Sequence, residues 1–350
     1  MKSYGIFEFG EPLALREMPT PEPQGAEVIL KVKAAGVCHS DIHIWEGGYD
    51  LGHDRKLSLR DRGVTLPLTP GHETVGEVVA LGPDADGIEI GETCLVFPWI
   101  GCGDCDVCRE GLENYCLKAS NIGVHRDGGF ADYVRTPHAR YLLPIGDLDP
   151  AEIAPYACSG VTTYSAIRKL GDRIARQPVV LIGAGGLGLM AIKILRALSA
   201  AGAVVVDIDP VKRDKAVEAG ALAAVDGAAP DAVAQVQQAV GSAPLSVIDL
   251  VGSPQTAQLG FDVLTKGGTL VLVGLFGNIA TWPLAMIPLK GISIVGNLVG
   301  TLQECRELID LVRAGRIEPI PVSRFPLDRA NETLMDLRDG KFVGRAVLCP

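Results

Sequence analysis

The tightest constraint on this chain of 350 residues is one junction: Val179-Val-Leu-Ile182 runs straight into Gly183-Ala-Gly185-Gly186-Leu187-Gly188. A glycine-rich turn alone is a weak signal, because such turns also arise for purely structural reasons. Here a β-branched apolar run enters and a helical pattern, Leu187–Leu198, leaves. In that setting Gly183 permits the tight turn, Gly185 lets backbone N–H groups approach a pyrophosphate, and Gly188 lets helix and strand pack closely. Similar runs recur at Ala203–Asp207, Val247–Val251 and Thr269–Val273, with a second helical pattern at Val211–Ala219. The alternation predicts an α/β unit with a parallel sheet. Asp207 closes the second run, 24 residues beyond Gly183. A carboxylate there accepts hydrogen bonds from ribose hydroxyls and repels a 2′-phosphate, which favours NAD over NADP. Lys212 and Arg213 follow and would soften that rejection.

The first 150 residues read differently. Short alternating apolar runs such as Ala26–Ala34 and Thr74–Leu81, broken by Gly and Pro, predict antiparallel strands. The last sixty residues mix a strand-like Ile292–Val295, a helix over Gln303–Ala314 and a strand over Arg345–Leu348. With a net charge of −10, nothing points to nucleic acid or an anionic membrane surface as a partner. The longest apolar stretch, Val179–Ile192, is too short for a membrane span and holds the glycines just described. The opening MKSYGIFEFG has no apolar export core, so the expected location is cytoplasmic.

The chain has nine cysteines, and four of them form Cys102-x2-Cys105-x2-Cys108-x7-Cys116. That density favours metal thiolates over disulfides. Four thiolates close a tetrahedral shell, as in structural zinc sites. A nucleic-acid zinc ribbon is the other reading, but Asp104, Asp106, Glu110 and Glu113 stand where such a ribbon is basic. A second constellation is more scattered: Cys38-His39-Ser40-Asp41-Ile42-His43, then Gly71-His72-Glu73, then Cys158 at the entry to the nucleotide unit. Two cysteines and a histidine with an open fourth position make a catalytic zinc shell.

Together these motifs resemble the zinc-dependent medium-chain alcohol dehydrogenases, over nearly the whole chain. The resemblance also takes in a closing Gly344-Arg345-x-Val-Leu348. It implies a GroES-like β-rich catalytic domain over residues 1–155, with a structural zinc lobe at 95–120. A Rossmann NAD-binding domain follows over 156–290, and residues 291–350 return to the catalytic domain. It further implies two zincs per chain and a homotetramer, or a dimer, as in the shorter bacterial and yeast enzymes. By position, Cys38, His72 and Cys158 resemble the catalytic zinc ligands and Glu73 the nearby acid. Asp41 resembles the acid that orients the ligating histidine, and Ser40 and His43 the proton relay. His39 and Arg345 resemble pyrophosphate contacts, while Thr162, Leu250, Val251, Val273, Leu275 and Val299 fall where the family lines the cofactor. The implied reaction is reversible oxidation of a primary or secondary alcohol to an aldehyde or ketone, with zinc as Lewis acid and hydride passing to NAD. The competing readings are a zinc-free reductase of the same fold and a non-catalytic zinc or nucleotide-binding protein.

One segment has no counterpart in the general pattern. Leu51–Val64 is a polar insertion carrying His53, Arg55, Lys56, Arg60 and Arg62 against Asp54 and Asp61. The stretch HIWEGGYDLG resembles bacterial dehydrogenases of ω-hydroxy carboxylic acids such as 6-hydroxyhexanoate. On that resemblance a cation of the insertion would meet a distal carboxylate, with Trp45, Tyr49 and Trp99 as apolar walls. The alternative is a solvated loop surface and a plain medium-chain aliphatic or aromatic alcohol as substrate.

Overall fold

A computed structural model describes all 350 residues. Six parallel strands form one sheet in the spatial order Ala223–Asp226, Ala203–Asp207, Val179–Ile182, Ser246–Asp249, Thr269–Leu272, Ser293–Gly296. Their near-continuous apolar character has a direct cause. Val180, Ile182, Val204, Val206, Val247 and Leu270 pack into one buried cluster, while Leu181, Val205, Ile248 and Val271 belong to another. Successive side chains point to opposite faces and both faces are covered, so the strand centres are apolar and polar residues such as Ser246, Thr269, Asp207 and Asp249 stand only at strand ends. The sixth strand, Ser293–Gly296, lies beyond the boundary expected at residue 290, so the return to the catalytic domain starts later than the sequence suggests. The apolar pattern marks a strand here, but its ends are exposed and only Ile294 and Val295 are half-buried, so the pattern does not say which of the two sheets it joins.

The second sheet has the order Val322–Pro326, Arg345–Cys349, Val28–Val37, Glu73–Leu81, Thr93–Val96, Leu142–Pro144, with Tyr133–Thr136 also paired to Val28–Val37. Its pairings are antiparallel except that of Val322–Pro326 with Arg345–Cys349. The register does the work of assembling a site. Gly36 lies opposite Glu73, and Val37 opposite Ala346. The end of Val28–Val37 and the starts of two antiparallel neighbours therefore meet at one corner, bringing Cys38, His72, Glu73 and Arg345 together from across the chain. The buried helix Ser159–Arg168 packs on the nucleotide-loop helix Gly186–Ala197 and on Leu302–Arg313. One cluster of 73 buried residues draws on both sheets, so the two units share a core.

The insertion is ordered. Gly48–Asp50 and Lys56–Ser58 pair as an antiparallel hairpin, and a 3-10 turn over Arg60–Arg62 ends at Gly63.

Candidate active site

Cys38 caps the helix His39–Glu46. Its backbone N–H donates to Asp41 Oδ2 at 2.9 Å, in the reciprocal arrangement of a capping box. The same buried carboxylate accepts from Gly71 N at 3.2 Å and lies 2.9 Å from His72 Nδ1 through Oδ1. One side chain thus locks the two segments that carry Cys38 and His72. Because Asp41 holds Nδ1, the other ring nitrogen is the free one, and His72 Nε2 is buried without a partner. Cys38 Sγ and Cys158 Sγ stand 4.0 Å apart, near the edge of a zinc tetrahedron with Zn–S bonds of about 2.3 Å. The donor atoms of Cys38, His72, Glu73 and Cys158 all lie within 4.8 Å of one another. An orphaned imidazole nitrogen aimed among two buried thiols fits a zinc ion.

The hydrogen bond from Cys158 holds the Cys38 thiol well below its usual range. Burial opposes a charge on His72, but the Asp41 carboxylate outweighs it and holds the ring well above its ordinary value. Burial pushes Glu73 up to about 7 against the pull of Arg345. Glu73 accepts from Ser159 N at 3.2 Å and from the Arg345 guanidinium. A Cβ on Gly36 would collide with the Glu73 carboxylate, so this position, which sequence reasoning passed over, must be glycine.

The four-cysteine segment forms its own lobe. Sulfur separations are 3.3 Å for Cys105–Cys108, 3.8 Å for Cys105–Cys116 and 4.0 Å for Cys102–Cys108. None of the nine cysteines is in a disulfide. Cys116 Sγ accepts from the backbone of Cys102 and of Lys118, both at 3.3 Å. Backbone N–H groups of Asp104 and Cys105 lower the Cys102 thiol to about 6. Amides converging on sulfur are what a thiolate shell requires, and the four donors suit a closed zinc site. The buried Glu113, bonded to Gly101 N at 2.8 Å and to Tyr141 Oη at 2.6 Å, ties the lobe to the sheet.

At the nucleotide loop, Gly183 has φ +104° and a Cβ on Gly188 would strike the Gly183 carbonyl. Gly185 is exposed with open space beside it, which leaves its backbone approachable. Asp207 holds the loop itself: Oδ2 accepts from Ala184 N at 2.7 Å and Oδ1 from Asp209 N at 2.9 Å. Arg213 does not stand free as the sequence reading allowed. It donates to the Asp207 carbonyl at 2.9 Å and pairs with Asp226 at 3.6 Å. Arg345 crosses between the two centres. Its stem lies against Gly186, its terminal nitrogen bonds Glu73, and its Nε is buried without a partner. Desolvation lowers the pKa of His39; Cys38 raises it, and the nearby cations Arg345, His43 and Lys212 lower it further. Thr162 is buried with an unpartnered hydroxyl, Leu250 and Val251 follow the strand Ser246–Asp249, and Val273 is buried. Leu275 is exposed, and Val299 sits at φ +43°.

On the substrate side, Ser40 and His43 lie on the helix that Asp41 anchors, and the His43 ring packs against Tyr49 at a tilt of 44°, with ring centroids 5.0 Å apart. Burial lifts the Tyr49 hydroxyl to about 12; Cys38, Cys158 and Asp41 add to the rise and Arg62 opposes it. Trp99 lies 5.3 Å from the His72 ring and donates to Ala157 O at 3.0 Å. Trp45 is not a wall of this cleft. Its indole donates to Glu11 O at 2.6 Å and its ring lies under Arg338, so it serves the contact with the helix Ala330–Arg338. Two of the insertion's cations are also spent elsewhere: Lys56 on Glu46 O at 2.5 Å and Arg60 over the Phe9 ring at 5.1 Å.

Comparison with known proteins supports this arrangement. Residues 24–147 match the alcohol dehydrogenase GroES-like domain and residues 186–314 the zinc-binding dehydrogenase family. An NAD-dependent alcohol dehydrogenase of Sulfurisphaera tokodaii is 38% identical, with 100% of both chains covered. A D-arabinose 1-dehydrogenase (NADP(+)) of Saccharolobus solfataricus is 32% identical over 98% of this chain and 96% of its own. The crystal structure of the alcohol dehydrogenase from Aeropyrum pernix superposes with a TM-score of 0.89 at 30% identity, covering 100% of each chain. With two thiolate sites, a glycine-rich nucleotide turn and whole-length likeness in agreement, the chain belongs to the zinc-dependent medium-chain alcohol dehydrogenase family.

Proposed function

We propose that this enzyme catalyses the reversible NAD-linked oxidation of primary or secondary alcohols to aldehydes or ketones. The observation that carries the reading is the Cys38–His72–Cys158 cluster, with its unpartnered Nε2, at the sheet corner where Arg345 runs on to the nucleotide loop. Bound zinc supplies Lewis acidity for the substrate oxygen. The chain's own residues do the rest. Asp41 fixes the His72 ring, and Ser40 and His43 carry the hydroxyl proton toward solvent. The loop around Gly185 receives the pyrophosphate, with Lys212 as a nearby cation and His39 and the free Arg345 Nε as further donors. Asp207 selects the ribose hydroxyls and so NAD. The test is zinc analysis, expected at about two per chain, together with an alcohol panel run with NAD and NADP and read as kcat/KM. A metal-free enzyme at full turnover would favour the zinc-free reductase.

The substrate we favour is a medium-chain aliphatic or aromatic primary alcohol. A second reading, an ω-hydroxy acid, rests on Arg62, whose charge acts on Tyr49 beside His43. Under it, Arg62→Ala should raise KM for 6-hydroxyhexanoate by an amount equivalent to roughly 1–3 kcal/mol and leave 1-hexanol alone. An equal effect on both substrates would reject it.

We also propose a homo-oligomer, expected as a tetramer or dimer. The outer edge of Ser293–Gly296 pairs with no other strand of the chain, and Leu284, Met286, Leu289 and Leu298 are exposed around it. Light scattering tests the state directly. No helix is long and apolar enough to cross a membrane. Nine cysteines with none paired in a disulfide fit a reducing, cytoplasmic setting, and fractionation tests that placement.

A further inference from the structure

The insertion's hairpin reaches the nucleotide domain. Asp50 O accepts from Asn278 N at 3.3 Å, a backbone contact between segments 228 residues apart. The approach is close enough to exclude side chains on both sides. A Cβ on Gly52 would stand 2.7 Å from Ile279 Cγ1, and one on Gly277 would stand 2.5 Å from Asp50 O. Gly52, Gly277 and Asn278 all take positive φ, at +73°, +93° and +74°. The segment they meet is itself fastened to the sheet: Phe276 N donates to Val251 O and Gly277 N to Gly252 O, each at 3.1 Å. Those residues belong to the loops that follow Ser246–Asp249 and Thr269–Leu272. In open parallel sheets a dinucleotide lies against the carboxyl ends of the strands, where such loops stand. At the hairpin's other end, Tyr49 precedes Asp50 and packs its ring at a tilt against His43. A contiguous set of contacts therefore runs from the relay histidine through the hairpin to the cofactor loops.

We propose that the hairpin Gly48–Ser58 is an interdomain clasp. Through Asp50 and Gly52 it holds the Gly277–Ile279 segment, and with it the cofactor loops, against the metal side of the cleft, so that the insertion sets how fast the dinucleotide leaves. Asp50, Gly52 and Ile279 act as positioning residues, and the inference rests on the dehydrogenase reading above. Exchange of a dinucleotide held between two domains needs the loops on its two sides to part. A fixed contact between those loops slows that parting.

Gly52→Ala places a methyl group into Ile279 and forces the clasp open. Gly63→Ala is the matched control: it lies in the same insertion at φ +86°, with nothing within 4 Å of its Cβ, so it carries the backbone strain without touching the clasp. Ile279→Ala removes apolar contact without strain, and the double variant Gly52→Ala/Ile279→Ala removes the collision. NADH dissociation is followed by stopped-flow fluorescence, with zinc content and Tm measured alongside. The expected result is a rise in the dissociation rate of about tenfold for Gly52→Ala, a smaller rise for Ile279→Ala, partial recovery in the double variant and less than twofold change for Gly63→Ala. Equal loosening by Gly63→Ala, or a Gly52→Ala enzyme that releases NADH at the wild-type rate, overturns the clasp while leaving the dehydrogenase reading intact. If Gly52→Ala fails to fold, an Ile279→Ala enzyme with the wild-type rate does the same. A wild type that binds no NADH overturns the dehydrogenase reading instead, and the clasp with it.

Discussion

Replacing Asp41 by Asn removes one charge and almost no volume, so it changes hydrogen bonding and charge without disturbing packing. Asp41 is fully buried and serves three groups: Cys38 N at 2.9 Å through Oδ2, and Gly71 N at 3.2 Å and His72 Nδ1 at 2.9 Å through Oδ1. An amide offers one acceptor where the carboxylate offers two. Whichever way it turns, its NH2 group faces a donor. If the oxygen stays with His72 and Gly71, Cys38 N is orphaned and the cap of the relay helix is lost. If it turns to Cys38, the imidazole loses its anchor and its tautomer. A buried donor left unpaired costs about 1–3 kcal/mol, and the neutral amide also weakens the bonds that remain. Changes in groups that orient a ligating histidine typically cost 10–100-fold in metal affinity. Asp41→Asn is therefore expected to lose its catalytic zinc to a chelator at roughly 10–100-fold lower concentration, with activity falling in step. The lobe zinc, held by separate residues, should be retained. The assay is chelator titration followed by zinc analysis per chain. Wild-type zinc retention with wild-type kcat would refute the claim that this carboxylate assembles the site.

Cys105→Ala opens the closed thiolate shell of the lobe and should lower Tm markedly and remove one zinc per chain, because metal binding there contributes folding free energy; an unchanged Tm and metal content would show the site misassigned. Asp207→Asn keeps one acceptor for Ala184 N but removes the charge, so the preference for NAD over NADP in kcat/KM should narrow without reversing, since Arg213 is committed to Asp226; an NADP-preferring wild type would sink this. His43→Gln should depress turnover near neutral pH more than at high pH, where hydroxide partly replaces the relay, and equal loss at every pH would give His43 another role.

Local chemistry reaches far in this chain because several parts of it are short in sequence. The nucleotide turn occupies six consecutive residues, and its strand, Val179–Ile182, lies where the apolar run predicts it. The four lobe cysteines fall within fifteen residues, close enough that spacing alone implies a common ligand. The second metal cluster is legible as a set of residue types that suits a catalytic zinc shell, and its ligand roles only through resemblance. Cys38, His72 and Cys158 are separated by 34 and 86 residues, and nothing local links them.

What the sequence determined by itself is the set of elements whose period and turn chemistry are local: apolar strands buried on both faces, the glycine turn, the cysteine-rich lobe. What only the tertiary structure decided is everything that depends on register and on contact across the chain. The pairing of Gly36 with Glu73 and of Val37 with Ala346 puts Arg345 beside a metal cluster more than 180 residues away from it. The same level decides that Trp45 faces Glu11 instead of the cleft, that Arg213 is tied down by Asp226, and that a polar insertion becomes a hairpin docked on the cofactor domain. A side chain's type and spacing fix what it can do, but its partner is chosen by the packing of segments that carry no information about one another until the sheets have formed.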